Sequence, residues 1–127
     1  WVAYTSAESG RIQVYLRSFP DGGMPRKVAE QLGAEPRWSR TGELFFRGNY
    51  ATGRTSLFSV SLGKDGALGK PTELFNAGII GAGGSDHSPN FLISPDGQRI
   101  LAVTRAADEP DTPLTVIVNW KAPASSP

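Results

Sequence analysis

The sequence predicts an all-β domain, and three observations carry that prediction. The apolar runs are short throughout and rich in β-branched and aromatic residues. Turn-forming clusters separate them at close intervals. Glycine (15) and proline (10) occupy about a fifth of the 127 positions, against about 12% in an average chain, which suits a polypeptide that reverses often. The excess is too small and too aperiodic for collagen, and 39% hydrophobic residues argue against disorder. The length is that of one small domain.

Seven runs read as strands: Trp1–Thr5, Ile12–Leu16, Leu44–Phe46, Ser56–Val60, Phe91–Ile93, Ile100–Thr104 and Leu114–Val118. The punctuation between them comes from Ser9-Gly10, Asp21-Gly22-Gly23, Thr41-Gly42, Asp65-Gly66 and Pro95-Asp96-Gly97. These residue types supply positive φ, a preset φ or a side chain that bonds its own backbone. Arg26–Leu32, between Pro25 and Gly33, is the one helical candidate and reads equally as an edge strand. Helix content is expected to be near nil.

Self-similarity says more than composition does. Trp38-Ser39-Arg40-Thr41-Gly42, followed by Glu43–Phe46, matches Ile93-Ser94-Pro95-Asp96-Gly97, followed by Arg99–Ala102, with Gln98 as one extra turn residue. Trp1–Tyr4 fits the strand that follows such a turn. Second strands come after each, at Gln13–Leu16, Ser56–Ser59 and Thr115–Val118, and third ones near Arg26–Ala29 and Pro71–Phe75. With strands lettered A to D, the chain reads B-C-D, A-B-C-D, A-B-C. The complete unit, Ala34 to Phe75, is about 42 residues long, within the range of about 40–45 for a four-stranded propeller blade.

The expected architecture is therefore a partial β-propeller, an open arc of about two and three-quarter antiparallel blades. Residues 1–33 form a blade lacking its first strand and 34–75 a complete blade. Residues 76–88 form a Gly-rich connector, 89–120 a blade lacking its last strand, and 121–127 a tail. Each blade has two apolar faces that neighbours must cover. An arc this short cannot close, so its partners are expected to include the missing blades of its own full-length chain. Alone it should be poorly soluble or associate through its terminal blades. Trp1 in place of Met gives the chain the look of an excerpt.

Ser94-Pro95-Asp96-Gly97-Gln98-Arg99-Ile100-Leu101 resembles the turn of WD-like β-propeller repeats of the TolB type, and Pro36–Phe46 is similar to the same element. Trp1–Ser6, Val14–Pro20 and Val118-Asn119-Trp120 together resemble the C-terminal end of propellers fused to bacterial serine/threonine protein kinases. The resemblance implies a non-catalytic module that binds or senses a protein or small molecule, with phosphoryl transfer elsewhere in the polypeptide. It implies a bacterial protein and is compatible with a periplasmic or other extracytoplasmic location. The alternative is the propeller of a serine peptidase or other hydrolase whose catalytic domain lies outside this chain. One departure concerns the middle turn, where Arg40-Thr41 stands in place of Pro-Asp. The cap is then lost or falls to Thr41. Ser39, Gly42, Ser94, Pro95, Asp96 and Gly97 are expected to serve the turns themselves.

Several classes of function receive no support. The net charge is +1, from 13 basic and 12 acidic residues without a like-charged run, so no nucleic-acid partner is expected. The absence of cysteine excludes disulfides, cysteine-bearing zinc sites and thiol chemistry. No apolar stretch approaches the roughly 20 residues of a membrane span, and no signal peptide precedes the first strand. Ser85-Asp86-His87-Ser88 has the letters of a triad in adjacent positions that cannot converge, and no G-x-S-x-G elbow exists. In Gly78–Gly84 the glycine spacing fails the dinucleotide pattern, since the third glycine would fall at Asp86. Asp108-Glu109-Pro110-Asp111 lacks the alternation of a calcium loop. No catalytic residue, cofactor or metal is expected in this chain.

Trp38, Phe45, Phe46 and Phe58 are expected to pack between blades. In a propeller the B–C and D–A connections emerge on one face. Here these are Ala7–Arg11, Gly48–Thr55, Asn76–Ser88 and Ala106–Thr112. Long loops on a rigid scaffold are where binding residues concentrate. The candidate binding-face residues are Arg11, Asn49, Tyr50, Arg54, Asp86, His87, Asp108 and Glu109.

Overall fold

The computed structural model describes residues 1–48, 55–76, 79 and 89–104. Among them the chain is all-β, without a helix, and mostly antiparallel. Its strands are β1 (Val2–Ser6), β2 (Gln13–Arg17), β3 (Arg26–Lys27), β4 (Gly33–Trp38), β5 (Glu43–Gly48), β6 (Ser56–Ser61), β7 (Thr72–Asn76), β8 (Phe91–Ile93) and β9 (Ile100–Ala102). They form three sheets in chain order: β1-β2-β3, β4-β5-β6-β7 and β8-β9. Each strand pairs with its sequence neighbour, and none of the sheets closes on itself.

Alternation along the strands explains why the sheets stack. Successive side chains of a strand point to opposite faces. In the middle sheet, Leu44 pairs with Val60 and Phe46 with Phe58, so these four share a face. They form one core cluster with Val14 and Leu16 of the first sheet and with Val28 just after β3, and Ala3 packs against it. The Phe46 and Phe58 rings stack with centroids 5.4 Å apart. The other face carries Phe45 and Leu57, which cluster with Phe91 and Ile79, with Ile93, Ile100 and Ala102 packed alongside. A strand covered on both sides must be apolar in consecutive positions. This accounts for Leu44-Phe45-Phe46, buried without interruption.

Gly48 and Gly33 make room for the stacked Phe58 and Phe46 rings of their own sheet. A Cβ on Gly48 would lie 2.8 Å from the Phe58 ring, and one on Gly33 would lie 3.1 Å from Phe46. Ile79, within the segment read from sequence as a connector, bridges Thr104 and is 2% exposed in the second cluster.

Strand ends shift by a residue or two from the sequence reading, and β3 is shorter. Ile12 and Trp1, expected inside strands, lie just before β2 and β1. The strand expected at Leu114–Val118 lies outside the described residues. Trp38 departs from its expected place between sheets: it remains 37% exposed. Its cross-strand partner is Leu44, but as the last residue of β4 it projects beyond the covered part of that face.

The matched turns adopt matched conformations. Gly42 N and Gly97 N donate to Ser39 O and Ser94 O, and both glycines have positive φ, 86° and 75°. Ser39 N reaches Glu43 O, whereas Ser94 N reaches Arg99 O, the one-residue difference being Gln98. Asp96 accepts from Ser94 Oγ and from Gln98 N at 3.0 Å. In the other turn the Thr41 and Ser39 hydroxyls bond at 2.8 Å, so Thr41 takes over the side-chain bond. The two turns also join: Arg40 N donates to Pro95 O at 2.9 Å.

The Ser94 hydroxyl and the Gln98 amide hold the Asp96 carboxyl below the usual carboxylate range. A lowered folded-state pKa stabilises above the unfolded value, about 3.9, and the contribution fades as pH falls through the lower folded value. In a carbon-detected NMR titration, Asp96 is expected to titrate below a reference peptide aspartate. Asp96→Asn is expected to flatten that part of the acid limb of stability. A midpoint at or above the reference would contradict the capped geometry.

Candidate functional site

Strand direction sorts the connections between two ends of the stack. In the middle sheet, β4 and β6 begin where β5 and β7 finish, at the end bearing the Gly48–Thr55 connection. The same end of the first sheet holds the connection from Ser6 to Gln13, with exposed Arg11 on it. In the third sheet it is the start of β8 and the finish of β9. The opposite end carries the turns containing Ser39, Gly42, Ser94, Pro95, Asp96 and Gly97 and the Gly63–Ala67 reversal. Of the candidate binding-face residues, the structure places Arg11 at the connection end. Asn49, Tyr50, Arg54, Asp86, His87, Asp108 and Glu109 lie outside the described residues.

A polar network links the three sheets at that end. Arg47 Nη2 lies 2.7 Å from Glu35 Oε1, and the two side chains are 8% and 23% exposed. Asn90 Nδ2 donates to the same oxygen at 2.7 Å, and Asn90 N reaches Glu35 Oε2 at 3.3 Å. Glu35 N donates to Thr5 Oγ1 at 3.3 Å. Thr5 belongs to β1, Glu35 and Arg47 to the middle sheet, and Asn90 directly precedes β8. One residue thus ties together the three sheets where their connections leave.

The local sequence explains how Glu35 reaches this position. From Ala34 to Arg37 β4 advances three residues while β5 retreats two, from Arg47 to Phe45, the count of a β-bulge. Glu35 takes φ 54°, a left-handed conformation that a non-glycine residue adopts at a cost of about 1–2 kcal/mol. Pro36 follows; it lacks an N–H and is tolerated in sheets at bulges. Proline inside a strand, together with one arginine closing the buried run Leu44–Phe46, was the available sequence signal for the network. The reading from apolar runs passed over both.

With three donors on its carboxylate, Glu35 is suited to holding backbone in place rather than to proton transfer. No group of three or more His, Cys, Asp or Glu among the described residues could hold a metal ion. Likewise among them, no helix is long and apolar enough to cross a membrane. At the opposite end an open groove of about 480 Å³ lies between Trp1 and Trp38, with Thr41, Leu62 and Lys64 along it. The Arg26 guanidinium sits 5.0 Å from the Trp1 ring. The groove and the Glu35 network occupy opposite ends of the stack. Compared with known proteins, the chain matches no family model, no curated protein and no solved structure.

Proposed function

We propose that this chain is an arc of a TolB-like β-propeller, in the manner of those fused to bacterial serine/threonine kinases, and that it works as a non-catalytic binding or sensing module. The connection end of the stack is its binding face. The observation that carries this reading is the Glu35 network: a strained, partly buried charge cluster joins three sheets directly beneath the connections. Backbone strain concentrates where a site must hold its geometry, and binding loops work best on a rigid support. The four-stranded meander β4-β5-β6-β7, covered on both faces, supports the architectural part.

Two experiments test the reading. The full open reading frame is expected to encode, upstream, a Gly-rich loop, a catalytic-loop Asp and a metal-binding Asp. A G-x-S-x-G elbow downstream would instead favour a hydrolase-associated propeller. For the face itself, residues 80–88 are replaced by a short Gly-Ser linker, which leaves core residue Ile79 in place. Thermal-shift screening against peptides and small metabolites is expected to find ligands whose shift disappears in this variant while its unliganded melting point stays near that of the parent. Unchanged shifts would refute the assignment of the face.

A further inference from the structure

Three turns of this chain contain an aspartate followed by glycine: Asp21-Gly22, Asp65-Gly66 and Asp96-Gly97. The glycines all take positive φ, 71°, 79° and 75°, so backbone conformation does not tell the turns apart. This dipeptide carries a reaction of its own. Glycine has no Cβ to shield its amide nitrogen, and that nitrogen can attack the side-chain carboxyl carbon of the aspartate before it, closing a cyclic imide. Two groups decide whether a given turn reacts: the carboxyl that is attacked and the amide that attacks it.

Two of the turns tie both groups down. Asp65 Oδ1 accepts from Ala67 N at 3.1 Å, and Gly66 N donates to Gly63 O at 2.8 Å. Asp96 Oδ1 accepts from Gln98 N at 3.0 Å and from Ser94 Oγ, and Gly97 N donates to Ser94 O at 2.8 Å. The two donors that hold the Asp96 carboxyl below the usual carboxylate range also keep it ionised, whereas ring closure consumes the protonated form. The connection between β2 and β3 differs in both respects. Among the described residues nothing donates to the Asp21 carboxylate, and the residue is exposed. Gly22 N reaches Ser18 O at 3.2 Å, the longest of the three glycine bonds and at the upper end of the usual range. The rest of this loop is held, with Arg17 Nε donating to Gly22 O and Gly23 O and Gly23 N donating to Ser18 Oγ at 3.0 Å. A fixed frame thus contains one untethered carboxyl.

We propose that Asp21 is a site of spontaneous modification, converting to isoaspartate through a cyclic imide with Gly22, while the folded turns spare Asp65 and Asp96. In the first step Gly22 N bonds to Asp21 Cγ, the bond from Cγ to its hydroxyl breaks, and the hydroxyl leaves with the amide proton as one water. A water then reopens the ring at either carbonyl. Attack at Cγ restores aspartate. Attack at the main-chain carbonyl carbon breaks its bond to Gly22 N and leaves the chain running through Cγ, with the former main-chain carbonyl as a free carboxylate. The product inserts a methylene into the backbone beside the two carbonyls that Arg17 holds, so the connection between β2 and β3 is where the molecule first changes with time. No partner, cofactor or further length of chain takes part, and the proposal is independent of the binding-face reading.

Incubation in heavy-oxygen water at neutral pH, then digestion in ordinary water and mass spectrometry, tests it, because each ring opening leaves one heavy oxygen in the residue. Electron-transfer fragmentation separates isoaspartate from aspartate. In the folded protein Asp21 is expected to take up label about tenfold faster than Asp65 or Asp96, the factor that corresponds to freeing one hydrogen bond. In urea, where the turns are lost, the three rates are expected to converge. Ser94→Ala, which removes one donor from Asp96, is expected to raise labelling at Asp96 and leave Asp21 as it was. Label entering Asp65 or Asp96 as fast as Asp21 in the folded protein would overturn the proposal. So would an unchanged ranking in urea, since the neighbouring residues and not the fold would then set the order.

Discussion

Phe46→Ala is expected to cost about 3–5 kcal/mol, a large part of the 5–15 kcal/mol that holds a domain together. Phe46 is fully buried, stacks on Phe58 and belongs to the cluster that joins the first two sheets. Removing its ring takes away apolar burial and leaves a cavity in the interface beside Gly33, whose missing side chain is what seats that ring. In urea the unfolding midpoint should fall steeply, or the folded baseline should vanish. Trp38→Ala provides the contrast. Trp38 is a bulkier aromatic of the same sheet, but at 37% exposure its truncation should cost less, about 1–2 kcal/mol. Equal losses for the two would mean that the partition between covered and uncovered ends of this face is wrong.

Glu35→Ala is expected to be the next most damaging change, at roughly 3 kcal/mol. Breaking a buried ion pair from one side typically costs about 3–5 kcal/mol; the partial exposure of Glu35, 23%, puts the value toward the lower limit. The substitution also removes the acceptors of both Asn90 donors, so the third sheet loosens together with Arg47. Glu35→Gly separates the charge from the backbone. It deletes the same carboxylate but accommodates φ 54° without the Cβ clash. It should therefore be more stable than Glu35→Ala by about 1 kcal/mol, the reverse of the usual order in a strand. If alanine proves the better tolerated, Glu35 does not hold the left-handed conformation on which the network depends.

These two residues also show what was legible in the sequence. Phe46 could be read as core because β5 and β6 carry the dense apolar and β-branched pattern of strands buried on both faces. β1 and β2 were legible from the same chemistry, and the paired turns from their Ser-x-x-Gly spacing. β4 showed no such pattern: Gly33-Ala34-Glu35-Pro36-Arg37-Trp38 lacks alternation because it bulges at Glu35 and is only partly buried along most of its length. Trp38 was misplaced because residue type reports hydrophobicity but not position along a strand, and the last residue of β4 lies past its cover. The candidate site was legible only as an end of the fold. Strand counting put Arg11 and the connections together, but Glu35, Arg47 and Asn90 are brought together by tertiary stacking that no local window contains.

Nuclear Overhauser contacts in a methyl- and aromatic-labelled sample test the stack most directly, because Phe45 and Phe46 are adjacent in sequence yet face different sheets. The Phe46 ring is expected to show contacts to Val14 and Leu16 methyls, and the Phe45 ring to Ile93 and Ile100 methyls, with no exchange between the two sets. Both rings contacting the same set of methyls, or either ring contacting neither set, would contradict three sheets stacked face to face around a doubly covered middle one.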